Sequence, residues 1–350
     1  MILKKLFIFV FLLFSFSCIS GQKNETKQKK KTVSPINTNK KHKQKVGNNT
    51  VSKAVKKTFK FANNLDFNLD EIQNKGLPDK KYLAEYLGLF LKVKKFYHRP
   101  ETDEQIKLKL KPIVYEIEQK KFHNMAAIND KLFKKNSMSY MRIMWLLQQL
   151  GYDIKNYKQE FLKIKNRMDD HMKLRGEWQR AVFDKYYDYF KLSKPIELKY
   201  AKKLKGPIAY QKTLEFYNRE NAYILTHFIF TAFDYGNSLT QNRFDATDLK
   251  YLNDILPKIT AKFELKNNDD IVGELLTCQV LLNNSNTPEF KQSFTRLLSR
   301  QNHDGSFGAY EKYRKKIGKD IEYRAYLHTT LVAIEPFIEY DFRKNKRIKD

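Results

Sequence analysis

Between Asn63 and Phe342 the apolar residues recur every three or four positions and never settle into alternation. That spacing belongs to helices buried on one face, and it leaves no segment that reads as a half-buried strand. Tyr82, Leu83, Tyr86, Leu87, Leu89, Phe90 and Val93 show it most plainly, within a helix predicted over Asp79–Tyr97. Twelve Gly and nine Pro among 350 residues are too few to interrupt such runs often. Further helical patterns cover 102–121, 129–150, the aromatic-rich 156–192, 208–217, 222–233, 247–263, 270–282, 288–300 and 323–342. About ten to twelve helices joined by short loops suit one all-α domain of this length. Several ends are legible. His98-Arg99-Pro100 stops a helix, Thr287-Pro288-Glu289 starts one, Asp269 or Asp270 caps the helix of Glu274, and Gly236 closes that of His227.

The most informative turn lies near the C-terminus. Leu297-Leu298-Ser299-Arg300-Gln301 ends a helix, and Asp304-Gly305-Ser306-Phe307-Gly308 reverses the chain. Gly takes the left-handed backbone that such a reversal needs, so Phe307 is predicted to turn inward as a packing anchor. The Gln301 amide stands where the last carbonyls of a helix need donors.

This Gln…Gly-x-aromatic pattern resembles the repeat of the terpenoid cyclase and protein prenyltransferase superfamily. Tyr326-Leu327-His328-Thr329-Thr330 is similar to the Tyr-His-Thr helix of prenyltransferase β subunits, and Trp145-Leu146-Leu147-Gln148-Gln149-Leu150-Gly151-Tyr152 is a fainter echo of the repeat. The resemblance implies an α/α toroid, inner helices ringed by outer ones around a central cavity. It also implies a zinc pattern of an acid and a Cys two residues apart, followed by a His. His328 matches the His, but Leu276 stands two before Cys278, so the pattern is broken. The cyclase motif of three aspartates has no counterpart, and Asn267-Asn268-Asp269-Asp270 reads as a helix cap.

The N-terminus reads as an export signal. Lys4 and Lys5 precede an apolar run, Leu6–Phe16, that is too short to span a bilayer. Ser15-Phe16-Ser17-Cys18 is a loose lipobox, which makes Cys18 the expected lipidation site; ordinary cleavage after Ser20 or near Gln22 is the alternative. Residues 1–20 are thus assigned to the signal, 21–60 to a Lys-rich tether and 61–350 to the helical domain. Gln22–Lys57 holds twelve Lys and one Glu, so it carries +11 of the chain's +28, with almost nothing to bury. A solvated spacer or a contact with anionic lipid or polysaccharide both fit. No nucleic-acid module is present, so no nucleic-acid partner is expected. The expected location is periplasmic or on the outer membrane or cell surface, with a membrane contact through the lipid. Cys278 is left without a partner, so packing rather than disulfides must hold the domain.

Three helices place polar groups in apolar surroundings. His227, Thr231 and Asp234 share a face of one, Glu274 and Cys278 are one turn apart on the second, and Arg324, His328 and Glu335 follow one stripe of the third. A charge inside an apolar helix is paired or lines a cavity. His227, Glu274 and His328 are therefore the candidate catalytic residues, as acid, base or metal ligands, set against a structural network in which each satisfies a neighbour. His227, Cys278 and His328 are a possible zinc set, set against Cys278 as a small core side chain. Arg175-Gly176-Glu177-Trp178-Gln179-Arg180 and the following aromatics, through Phe190, form either a sugar platform or core. Three functions are compatible with these features: an enzyme acting on an envelope or extracellular substrate, a carbohydrate-binding or carbohydrate-cleaving protein, and a non-catalytic interaction protein.

Overall fold

Helix α1 begins at Asn48 and runs to Asn64, with Val51, Ala54, Val55, Thr58, Phe59 and Ala62 buried and the lysines between them facing water. It heads a computed structural model that describes residues 48–309, 322 and 325–347. Cys18, the signal, Gln22–Gly47 and Arg324 lie outside the described residues. Asn48–Lys57 corrects the tether. Its Lys-rich composition hides an amphipathic face that packs on the domain, so the domain starts well before residue 61.

The other α-helices among the described residues are α2 (Leu69–Lys75), α3 (Lys81–Tyr97), α4 (Pro100–Glu118), α5 (Asp130–Gln149), α6 (Tyr157–Met172), α7 (Glu177–Tyr189), α8 (Ile196–Lys199), α9 (Arg219–Ala232), α10 (Ala246–Glu264), α11 (Asp269–Leu281), α12 (Pro288–Ser299) and α13 (Leu327–Arg347). The described residues contain no strand, and the fold is all-α. None of these helices is long and apolar enough to cross a membrane. His98, at φ 46°, closes α3 and Pro100 opens α4; Thr287 accepts from the Phe290 N–H at the start of α12. The aromatic stretch 156–192 is two helices, because Leu174-Arg175-Gly176 breaks it. Residues 208–217 form short 3-10 turns rather than an α-helix, after Gly206 at φ 53° and Pro207. The α11 cap is Asn268, one residue earlier than expected, and α9 ends at Ala232 ahead of a separate turn at Asp234–Gly236.

The helices pack in a regular sequence. α3 lies against α5, α5 against α7, α7 against α9, α9 against α11, α11 against α13, and α13 against α3. α1 covers α3 and α13, while α10 and α12 cover α11. Every residue of α11 from Asp270 to Leu281 is buried, as expected of a helix covered on all sides. Gly273 permits this, since a Cβ there would lie 2.5 Å from the Val332 carbonyl oxygen of α13.

The 301–308 turn is pinned to α1. A Cβ on Gly305 would lie 2.2 Å from the Lys57 carbonyl oxygen, and the Thr58 hydroxyl donates to the Gly305 carbonyl at 2.8 Å. The Gln301 amide donates to Ala54 O, Thr58 Oγ1 and Gly305 O, so it reaches another helix rather than closing its own. Phe307 is fully buried, its N–H donates to Thr330 Oγ1 at 3.0 Å, and its ring stacks on Phe337. α3 and α13 are further joined by buried charges. Lys92 contacts Glu335 at 2.5 Å and Glu339 at 3.3 Å, and Lys95 contacts Glu339 at 2.6 Å.

Candidate functional site

The covered helix α11 enters the domain with two carboxylates on one face. Asp270 and Glu274 are a turn apart, both buried, and both face the first turn of α13. His328 stands there, and Glu85 comes from the second turn of α3. His328 Nε2 lies 3.1 Å from Asp270 Oδ1 and 4.0 Å from Glu274 Oε1, while Nδ1 lies 2.9 Å from Glu85 Oε1. The imidazole is thus held between carboxylates at opposite ring nitrogens. Arg219 Nη2 contacts Asp270 Oδ2 at 3.0 Å, and Lys81 Nζ lies 3.5 Å from Glu85 Oε1.

These groups do not share one protonation state. Burial first, then the Asp270 charge, pushes Glu274 up to about 8. Burial, the largest single influence, opposes ionisation of Asp270 and Glu85, but the charge and hydrogen bonding of His328, together with Arg219 at Asp270 and with Lys81 and Arg142 at Glu85, hold both low. Burial would lower His328, yet Asp270 and Glu85 raise it to about 10. At neutral pH the cluster is an imidazolium, two carboxylates and one neutral carboxylic acid. The Thr226 hydroxyl supports that assignment geometrically. It lies 2.5 Å from Glu274 Oε2 and 2.9 Å from the Tyr223 carbonyl oxygen. The hydroxyl can therefore donate to the carbonyl and accept the proton of a neutral Glu274.

His227 occupies a different environment. Its Nδ1 is 2.9 Å from Tyr223 O, so that nitrogen donates to the carbonyl. Its ring lies 4.0 Å from that of Tyr223 and 4.7 Å from that of Trp178, centroid to centroid. Burial lowers it to about 3, so it is neutral. Of the three candidates, Glu274 and His328 come together, whereas His227 belongs to an aromatic wall and approaches them only through its neighbour Thr226. The Cys278 thiol is buried and donates to Thr226 O at 3.8 Å, and burial pushes its pKa well up. His227, Cys278 and His328 therefore do not form the N/S metal set; Cys278 is a core side chain. Glu335, on the His328 stripe, is spent on Lys92.

Water reaches this interior. The His328 side chain remains 26 % exposed although protein surrounds it, and Trp178, Tyr223, Tyr235 and Lys185 are also half-buried. Lys185 contacts Asp234 at 2.7 Å and sits 3.9 Å above the Trp145 ring. In the aromatic helix α7, Phe183, Tyr186 and Tyr187 are core, and only Trp178 joins the wall beside His227. Arg175 is structural, donating to Lys134 O and Ser137 Oγ. Two clefts lie elsewhere, about 460 Å³ beside His98–Lys107 and about 170 Å³ beneath Lys80 and Asn136, and neither is lined by a residue of the cluster. Lys80, lowered by burial to about 7, is held by the carbonyls of Gly76, Leu77 and Phe122 and closes a loop.

Asp270 and Glu85 are the site residues that sequence reasoning missed. Asp270 looked like a helix cap. Glu85 is a single acid in the apolar run Leu83–Phe90, the same signal that singled out Glu274.

Residues 208–335 match one family model, a domain of unknown function (DUF6895). The DUF6895 span takes in Thr226, His227, Asp270, Glu274 and His328, while Glu85 precedes it. No curated protein and no solved structure matches the chain.

Proposed function

We propose that the chain is an enzyme centred on Glu274, Asp270 and His328, and that it cleaves an envelope or extracellular saccharide within the cavity of an α/α toroid. The toroid reading is supported by the unbroken succession of pairings from α3 through α5, α7, α9 and α11 to α13 and back, with α1, α10 and α12 on the outside. One observation carries the catalytic reading: two buried carboxylates a single turn apart face one imidazole, 3.1 and 4.0 Å from its Nε2, in surroundings that push their pKa values in opposite directions. Such divergence marks acid and base assignments in enzymes. Glu274, neutral at pH 7, gives its proton to a leaving oxygen as the glycosidic bond breaks, and then takes a proton back from the water that adds to the reacting carbon. Asp270 stays ionised and steadies positive charge that develops at the reacting carbon. His328, held by Glu85, fixes the position of Asp270. Trp178 and Tyr223 supply the apolar ring faces on which sugars stack.

The Lys-flanked apolar run ahead of Cys18 supports export and a lipid anchor, which would set the cavity among envelope polymers. The test is release of reducing ends from a panel of envelope polysaccharides by the purified protein and by Glu274→Gln. Turnover by the wild type and its loss in the variant are expected. Absence of turnover on every polymer, or equal activity in the variant, sinks the proposal. The engagement of both His328 ring nitrogens by carboxylates favours a second reading, a non-catalytic interaction protein, and that reading predicts the first of these failures.

A further inference from the structure

The geometry points to a divalent-cation site at this cluster, with Asp270, Glu274 and Nε2 of His328 as ligands and Glu85 as the carboxylate that orients the imidazole from behind. The inference rests on taking the cluster as the functional site, but not on the proton-donor role given to Glu274.

Four features carry it. One ligand atom from each of the three side chains lies within 4.8 Å of the other two. A cation at about 2.0–2.2 Å from each would hold them about 3–3.5 Å apart. The Asp270–His328 pair is already at 3.1 Å, and Glu274 needs a small rotation to close its 4.0 Å gap. Next, while Asp270 Oδ2 is held by Arg219, Oδ1 is a buried atom that faces His328 Nε2 in this space and takes no aligned hydrogen bond. Its 3.1 Å approach to Nε2 is close but not aligned as a hydrogen bond. Its nearest cation is the His328 ring, the same nitrogen that a bound metal would take as a ligand while replacing the ring's proton as the partner of Oδ1. Third, His328 has the arrangement of a metal-bound histidine, Nδ1 on a carboxylate at 2.9 Å and Nε2 turned to the ligand space. Finally, three protein ligands leave a position open, as in sites where a bound water or substrate completes the shell.

Two oxygens and one imidazole nitrogen suit a first-row divalent ion such as zinc or manganese, and the buried Cys278 thiol takes no part.

The experiment is equilibrium dialysis of the full chain against micromolar zinc or manganese, followed by metal analysis, with Asp270→Asn, His328→Gln, Glu85→Gln and the remote Asp254→Asn in parallel. One equivalent is expected for the wild type and Asp254→Asn. Asp270→Asn and His328→Gln should each weaken binding by a hundredfold or more, and Glu85→Gln by tenfold to a hundredfold. The wild-type melting temperature should rise with added metal, a readout that survives if a variant fails to fold. Absence of a stoichiometric ion together with an unmoved melting temperature overturns the inference, as does binding that Asp270→Asn and His328→Gln leave unchanged. Metal bound without turnover on any saccharide upholds this site and defeats the proposed reaction. Turnover that depends on Glu274, with no stoichiometric ion taken up and the melting temperature unmoved, does the reverse.

Discussion

Glu274→Gln is isosteric and tests the protonation state of the site without reference to any substrate. In the unfolded chain Glu274 ionises near its ordinary 4.5, whereas in the folded protein it keeps its proton up to about 8. Between those values the folded state binds one more proton at this residue than the unfolded state. Raising the pH therefore removes stability, at about 1.4 kcal/mol per pH unit for one proton. The amide that replaces the carboxyl in the variant does not titrate. His328, raised from 6.5 to about 10, also loses stability as pH rises, but both proteins keep it and it cancels in their difference. The stability of Glu274→Gln relative to wild type should therefore climb by about 3 kcal/mol between pH 5.5 and 7.5. Urea unfolding at half-unit steps, with a two-state fit and a shared m-value, measures it. Parallel profiles would show that Glu274 is ionised in the folded protein, and the proton-donor assignment would fail. A carboxylate held low by His328 would show itself only below pH 4.5, where acid would destabilise the wild type more than the variant.

Phe307→Ala should cost about 3–5 kcal/mol, because the ring is fully enclosed and stacked on Phe337; a loss under about 1 kcal/mol in urea unfolding would mean that the turn is not anchored by it. Glu339→Gln leaves the ammonium groups of Lys92 and Lys95 short of their shared carboxylate, and a loss of about 3–5 kcal/mol is expected. A melting temperature equal to wild type would contradict a structural role for that network. Cys18→Ser should shift the protein from the membrane fraction to the soluble fraction, and an unchanged distribution rejects lipid attachment there.

The helical class was legible because apolar spacing is a local property. The span of α3 and the start of α12 follow from residues adjacent in sequence. The rule that a charge within an apolar helix needs a partner selected Glu274 and His328, which lie 4.0 Å apart. The same rule selected His227, whose partner proved to be a backbone carbonyl within its own helix. No sequence pattern separates those outcomes, since both present one polar residue among apolar ones. Asp270 was obscured by its place at a helix start, where an acid has a local explanation. The helix over Asn48–Lys57 was obscured by composition, although Val51, Ala54, Val55 and Thr58 carry the right period. The bond from Gln301 to Ala54 joins residues 247 positions apart, and nothing local specifies it.

The pairing of α3 with α13 has a consequence for how the molecule is made. Lys92 meets Glu339 across 247 residues. At typical rates of synthesis, about 5–20 residues per second, Glu339 emerges roughly ten to fifty seconds after Lys92. Throughout that interval the helix bearing Lys92, Lys95 and Glu85 lacks the surface that neutralises it. A nascent chain therefore cannot finish its interior from the front, and a message cut short before Leu327 would yield a product with unpaired buried charges, a substrate for proteolysis rather than a smaller working domain.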